Sequence, residues 1–344
     1  MSKITIQDIA NMCQVSKSSV SRYLNGGYVS KENKAKIHEA IEKTGFEENF
    51  FAKRLKTKKS NLIGVIIPRI DSSTVGKVLN GINSVIEKEG YTTIMLISNL
   101  SVEKELEHIN SLYQQGVDGI IVDTLGVTKQ HVELINKIEI PVICLCPENE
   151  YINCMSIDDY EAGRIMGKYF YNLNHRNIVF LGVSEKDKAV GFIRKKGFYD
   201  VFKESGEEYK INFVETDFTF NRAYEKGKEV MSYKPSAVVC ATDNICLGLM
   251  LYLNENKISI PDEVSIAGFG GYDVGAVIYP PLTTIDFNHG ILGVKSAEAI
   301  LKIINGEEFI KDEAIPLSLI ERKSAKEFYK ESYEEISIRI KWEI

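Results

Sequence analysis

Residues Thr5–Asn25 read TIQDIANMCQVSKSSVSRYLN, and this stretch decides how the 344-residue chain is organised. Thr5 and Asp8 have the spacing of a capping box, the reciprocal pairing that opens a helix. Ile6, Ile9 and Ala10 then place apolar groups on one face. Gln14-Val15 predicts a tight turn, and Ser16 stands where an N-cap belongs, ahead of a second helix. Val20 and Leu24, one turn apart, face back onto the first helix. Lys17, Ser18, Ser21, Arg22 and Asn25 fall at the N-terminal end and on the other side, a stripe of hydrogen-bonding groups with nothing apolar to bury. A helix-turn-helix lays such a stripe in the DNA major groove, where Arg pairs bidentately with guanine and Ser or Asn reaches other base edges. A solvated helix face would carry the same residue types, so the surroundings decide.

Charge favours DNA. The net charge of −6 hides an asymmetry: residues 1–60 hold 12 Lys/Arg against 6 Asp/Glu, and the remainder holds 30 against 42. A basic head is drawn to phosphate while an acidic body is held off the duplex. Ser30 predicts the cap of a third helix, KENKAKIHEAIEKT, which ends at Gly45 and supplies Ile37, Ala40 and Ile41 to a three-helix core. Next comes NFFAKRLKTKK (49–59), basic and amphipathic, with Ala52 and Leu55 on one side and Lys53, Arg54 and Lys56 on the other. So short a helix is marginal alone in water, which suits a hinge that orders only on DNA beside a second subunit. An apolar Leu among basic residues is also what a minor-groove wedge needs.

From Asn61 the texture becomes alternating apolar strands and amphipathic helices, beginning with LIGVIIP (62–68) and running to VSIAGF (264–269). That pattern means parallel sheets covered on both faces, and two series of four to five units fit two doubly wound subdomains. A single helix is expected over 221–232. Ligands in this architecture sit at the C-terminal strand ends, in the cleft between subdomains. Four strand exits are polar there: Arg69-Ile70-Asp71-Ser72-Ser73, Asp123-Thr124, Thr242-Asp243-Asn244 and Gly270-Gly271.

No enzyme signature survives inspection. GFGGYDVG (268–275) lacks GxGxxG spacing, there is no GxxxxGK[ST], GxSxG or HExxH, and the five histidines do not cluster. The six cysteines are scattered through apolar segments without metal spacing and read as reduced core thiols. No cofactor or metal is expected. Met1-Ser2-Lys3 runs straight into the capped helix with no secretion-signal apolar region, and no apolar run is long enough for a bilayer, so a cytoplasmic protein without membrane association is expected.

TIQDIANMCQVSKSSVSRYLNG, AKRLKTKKSNLIGVIIP, QQGVDGIIV, NHRNIVFLG, AVVCATDNICLGLMLYL, IPDEVSIAGF and TTIDFNHGILG stand in an order that resembles the lactose/galactose-repressor (LacI/GalR) family of transcription factors, over about residues 4–324. IPRIDSS, NHRNIVFLGV and VVCATDNICLG are closest in character to its trehalose-operon branch. The resemblance implies an α/β chain: a helix-turn-helix headpiece (1–48), a hinge helix (49–60), and a core of the periplasmic-binding-protein-like type I fold. The core's N-subdomain would be 61–157 plus 288–314 and its C-subdomain 158–287 plus 315–324, with 325–344 an extra tail.

The resemblance further implies a homodimeric repressor of a carbohydrate operon, bound to a pseudo-palindromic operator and controlled by a small effector in the core cleft. Lys17, Ser18 and Arg22 would contact bases, with Thr5, Ser16, Ser21 and Asn25 completing the DNA-facing set; Leu55 would be the wedge, with Ala52 beside it. In the core, Arg69 would meet an effector's anionic part, Arg194 would fork to hydroxyls or a carboxylate, Phe218 would stack on a sugar, and Asp243 would accept hydroxyl protons, with Asp71, Ser73 and Gly270 completing the effector-binding set. Arg69 also has a structural reading, as ion-pair partner of Asp71, and Arg194 another, as a helix-face i,i+4 contact. Members commonly carry a carboxylate where this chain has Gly270, and its loss eases binding of a phosphorylated ligand. Trehalose 6-phosphate is therefore the leading effector, followed by sucrose or another disaccharide, phosphorylated or not. A global catabolite regulator with a phosphoprotein co-effector is the alternative within the class. A solute-binding protein shares the core but not the basic head.

Overall fold

The computed structural model describes residues 4–24, 26–46, 59–70, 72–147, 149–310 and 314–329, in two compact units divided at Ser60 and Asn61. Asn25, Asp71, the stretch 47–58 with Ala52 and Leu55, and the tail from 330 onward lie outside the described residues.

The first unit is three helices, Ile6–Cys13, Lys17–Leu24 and Lys31–Thr44. The Thr5/Asp8 capping box is made: Asp8 N–H donates to Thr5 Oγ1 at 3.3 Å and Thr5 N–H to Asp8 Oδ2 at 2.8 Å. Gln14 takes the left-handed conformation (φ 53°), closing the first helix, and Val15 N–H returns to Ala10 O at 3.0 Å. Ser16 Oγ then receives Ser19 N–H at 3.1 Å. The third helix is capped by Ser30 and ended by left-handed Gly45. Ile9, Ala10, Val20 and Ile37 are fully buried at its centre, and Tyr23 Oη lies 3.1 Å from His38 Nδ1, tying the second helix to the third.

The second unit holds two sheets. The first contains β1 (Leu62–Ile67), β2 (Thr92–Ile97), β3 (Gly119–Asp123), β4 (Val142–Leu145) and β5 (Asn153–Met155), all parallel, in the order β2-β1-β3-β4-β5. The second contains β6 (Asn177–Gly182), β7 (Lys210–Glu215), β8 (Ala237–Cys240), β9 (Ser265–Phe269), β10 (Thr283–Asp286) and β11 (Ser318–Ile320), in the order β11-β10-β9-β8-β6-β7. Read from β7 inward it repeats the first topology, so each sheet has one point where strand order reverses: between β1 and β3, and between β6 and β8. The central strands are apolar along their whole length because helices bury both faces.

Each sheet has its own core, and the chain crosses between them three times. The His289–Ile304 helix follows β10 of the second sheet yet sends Leu292, Ala297, Ile300 and Leu301 into the core of Ile63, Val65 and Ile121. Beyond it, β11 returns to pair antiparallel with β10.

The expected helix over 221–232 is two, Phe220–Glu225 and Gly227–Ser232. The break lies at Gly227, where a Cβ would stand 2.1 Å from Cγ of Tyr252; the ring fills the space a side chain would need. Between β6 and β7 the chain forms a π-helical turn at Lys188–Arg194 continued by the α-helix Lys195–Ser205. β5, β11 and the one-turn helix Val274–Val277 went unread because segments of three or four residues carry no periodicity to detect.

Candidate functional site

On the first unit, Lys17, Ser18 and Arg22 are exposed on the second helix and Ser21 is half-buried. Their arrangement follows from packing: Val20 is fully buried and Leu24 packs on the same core, so the intervening positions turn outward. Ser16 Oγ lies 2.7 Å from Ser18 Oγ and 2.9 Å from Ser19 Oγ, a hydroxyl cluster at the helix start. Thr5 is engaged with Asp8 and is exposed at the mouth of the first helix.

On the second unit, the C-terminal strand ends of both sheets face a cleft of about 230 Å³. That is somewhat below the range of ordinary small-ligand sites, about 300–1,000 Å³, and suits a small molecule. Arg69, Phe218, Arg194 and Gly270 all line it. The Arg69 guanidinium, at the exit of β1, lies 5.6 Å from the Phe218 ring centroid, a cation–π pair made across the cleft. Asn244 Nδ2 holds the Phe218 carbonyl at 2.8 Å.

Arg194 lines the cleft with much of its guanidinium held by the protein. Its Nε and Nη2 donate to Asp159 Oδ1 at 2.9 and 2.6 Å, its Nη1 donates to Ala241 O at 2.6 Å, and it lies 5.0 and 4.4 Å from the Phe269 and Phe287 centroids. Its ionic partner is thus thirty-five residues away, not a helix-face neighbour. The guanidinium has five N–H bonds, three of them used here, and it lines the cleft with its charge already matched.

Two expected residues are not brought to the cleft. Ser73 is exposed on the first turn of the Ser73–Ile86 helix, while Ser72 and Thr74 line the cleft; successive helical residues point about 100° apart. Asp243 is fully buried, and its carboxylate is spent internally: Oδ1 accepts Thr284 Oγ1 at 2.6 Å and Oδ2 accepts Tyr272 N–H at 2.8 Å. Burial, partly offset by those two bonds, pushes its pKa up to about 6. Asp243 does accept a hydroxyl proton, but from Thr284.

The bond from Tyr272 N–H explains residue 270. Gly270 has φ 137° and Gly271 φ 61°, conformations that favour glycine, and a Cβ at 270 would stand 2.6 Å from Tyr272 Cε1. The Tyr272 ring takes the space beside position 270 and lines the cleft. Sequence reasoning missed Tyr272, Asp159 and Lys77. Lys77, on the Ser73–Ile86 helix, donates to Gly271 O at 2.7 Å and lies 3.7 Å from Asp273 Oδ1, linking the two lobes directly. None carries a local motif; only the aromatic following Gly270-Gly271 was a visible signal.

Among the described residues no cluster of three His, Cys, Asp or Glu could hold a metal ion, and no helix is long and apolar enough to cross a membrane. All six cysteines are free and buried.

Compared with known proteins, residues 60–323 match the family described as periplasmic binding proteins and sugar binding domain of LacI family. Residues 5–49 match bacterial regulatory proteins, lacI family. The chain is 34% identical to the sucrose operon repressor of Staphylococcus xylosus, over 87% of this chain and 93% of that one. It is 27% identical to the transcriptional regulator TreR of Salmonella typhimurium, over 88% and 95%. The crystal structure of the lac repressor dimer bound to operator and the anti-inducer ONPF superposes with a TM-score of 0.86 at 21% identity, covering 94% of this chain and all of that one. With a helix-turn-helix head and a two-lobed core in one chain, each matching its own part of one family, this protein belongs to the LacI family of bacterial transcriptional regulators.

Proposed function

We propose that the protein is a homodimeric repressor of a carbohydrate-utilisation operon, binding a pseudo-palindromic operator through its headpieces and released by a sugar effector in the core cleft. The observation that carries this is the cleft itself: arginines, carboxylates and aromatic faces converge at the strand-order reversals of both lobes. Effector bound there changes how the lobes close on one another, and that change biases the DNA-bound form. Lys17, Ser18 and Arg22, with Ser21 and Asn25, supply the base contacts; Leu55 supplies the minor-groove wedge, with Ala52 assigned to the same DNA-facing set.

The effector we favour is sucrose 6-phosphate. Similarity to the Staphylococcus xylosus sucrose operon repressor supports the sucrose framework, and Arg69 at the cleft with no carboxylate at Gly270 supports a phosphate. Trehalose 6-phosphate is the second candidate, supported by the same two residues and by the similarity to TreR.

A thermal-shift panel tests this with sucrose 6-phosphate, sucrose, trehalose 6-phosphate, trehalose and glucose 6-phosphate. A ligand at a hundred times its Kd adds about 2.7 kcal/mol of apparent stability. The shift is expected with sucrose 6-phosphate and lost in Arg69→Ala; a response to a neutral sugar that survives Arg69→Ala would remove the phosphate from the account. For the wedge, Leu55→Ala is expected to weaken specific operator binding far more than non-specific binding. Equal weakening of both, read by competition titration, would exclude that role.

A further inference from the structure

We propose that Asp123 is the carboxylate through which the cleft reads a hydroxyl of its ligand, an assignment that rests on the sugar-binding reading above. Sugar hydroxyls are recognised by charged acceptors held in place, and this chain lacks one at Gly270. Of the other carboxylates around the cleft, two are committed and the third is only half used, with its remaining oxygen buried. Asp243 is closed by Thr284 and Tyr272. Asp159 holds Arg194. Asp187 caps the Lys188–Arg194 turn through Oδ1; its Oδ2 has no hydrogen-bond partner among the described residues but is fully buried, out of a ligand's reach in this structure. Asp123 differs: it lines the cleft, is half-buried, and takes no hydrogen bond from any described residue.

Its position is the one topology singles out. Asp123 ends β3 and Arg69 follows β1, so the two flank the point where strand order reverses in the first sheet, the place where open α/β sheets bind ligands. Behind it stands a filled inner carboxylate. Glu105 accepts Ser98 Oγ at 3.3 Å and Thr124 Oγ1 at 2.8 Å, and lies 3.1 Å from His131 Nε2. Glu105 therefore has its partners within the protein, whereas Asp123 has its bonding capacity left for a ligand.

The same surroundings give the site a pH signature. Asp123 is faced by Glu105 and, through it, His131 from the Val102–Gln115 and Lys129–Ile135 helices, and by Cys146 beyond β4, and it shares the cleft lining with Arg69 of the neighbouring strand exit. Burial, with the Glu105 charge behind it, pushes the Asp123 carboxyl up to about 7. A hydroxyl donating to the carboxylate favours its ionised form, so affinity rises with pH between 6 and 8. The second ionisation of a phosphate also falls near 6, so the slope is read as wild type minus variant.

The test is calorimetric titration of the full-length protein with sucrose and with sucrose 6-phosphate at pH 6 and pH 8, using wild type, Asp123→Asn and Asp123→Ala. Both variants are expected to bind about tenfold more weakly or worse at pH 8, and to lose the wild type's extra pH dependence. Their melting at pH 8 is expected to be no lower than wild type. A group whose pKa is raised on folding contributes stability at low pH that is lost as pH rises through the folded value, so removing its charge at pH 8 relieves a penalty. Unchanged affinity and pH slope in both variants would overturn the assignment, as would a lowered melting temperature with binding intact, which marks a structural role. Failure of wild type to bind any sugar of the panel would instead strike at the sugar-binding reading itself.

Discussion

Asp159→Ala is expected to destabilise the effector-binding unit by about 3–5 kcal/mol, the cost of leaving a buried charge without its partner. Arg194 is nearly enclosed, with its side chain 8% exposed and that of Asp159 14%. Two of its N–H bonds end on one Asp159 oxygen, and aromatic rings lie on it from Phe269 and Phe287. Deleting the carboxylate leaves the guanidinium with the Ala241 carbonyl and the rings, which do not replace an anion in a low-dielectric site. Urea unfolding of the full chain measures the loss. The double variant Asp159→Leu with Arg194→Met is expected to be more stable than Asp159→Ala, because it removes both charges together. Additive losses would mean that the pair is not coupled as the geometry requires.

Ile37→Ala carries the second large effect, on the headpiece. Ile37 is fully buried against Ile9, Ala10 and Val20, and a cavity at such a site costs about 2–5 kcal/mol. A unit of this size has a core that supplies only about 3–5 kcal/mol. The headpiece should therefore be largely unfolded at room temperature, and operator binding lost. The core unit has its own hydrophobic clusters and should keep its effector affinity. Operator titration and sugar titration on the same preparation separate the two. Retained operator affinity would show that the headpiece core is stronger than its packing implies.

Much of this was legible because it is local. The Thr5/Asp8 box, the turn at Gln14, the Ser30 cap and the Gly45 stop are each decided within four residues, and all stand where the sequence placed them. Strand and helix alternation in the core was equally plain. The cleft was legible only in part. Arg69, Phe218 and Gly270 were found by their place in family motifs, and they do line it. Ser73 was misplaced by one residue, which on a helix is enough to turn a side chain away. Asp243 was misassigned for a different reason: an aspartate at a strand exit accepts hydroxyl protons, but residue type does not say whose. The donor, Thr284, lies forty-one positions on. Lys77 and Gly271 meet only because the chain crosses between lobes, and no spacing rule joins residues 194 positions apart.

Fluorescence anisotropy reads directly whether a sugar in the cleft releases a DNA-bound dimer. The full-length protein would be titrated onto an operator duplex selected from a random pool, with and without sucrose 6-phosphate and trehalose 6-phosphate, at fixed salt. Specific binding to a pseudo-palindrome is expected, weakened by one of these sugars and no longer weakened in Asp123→Ala. Operator affinity that no sugar changes, or binding with no preference for any sequence, would contradict it.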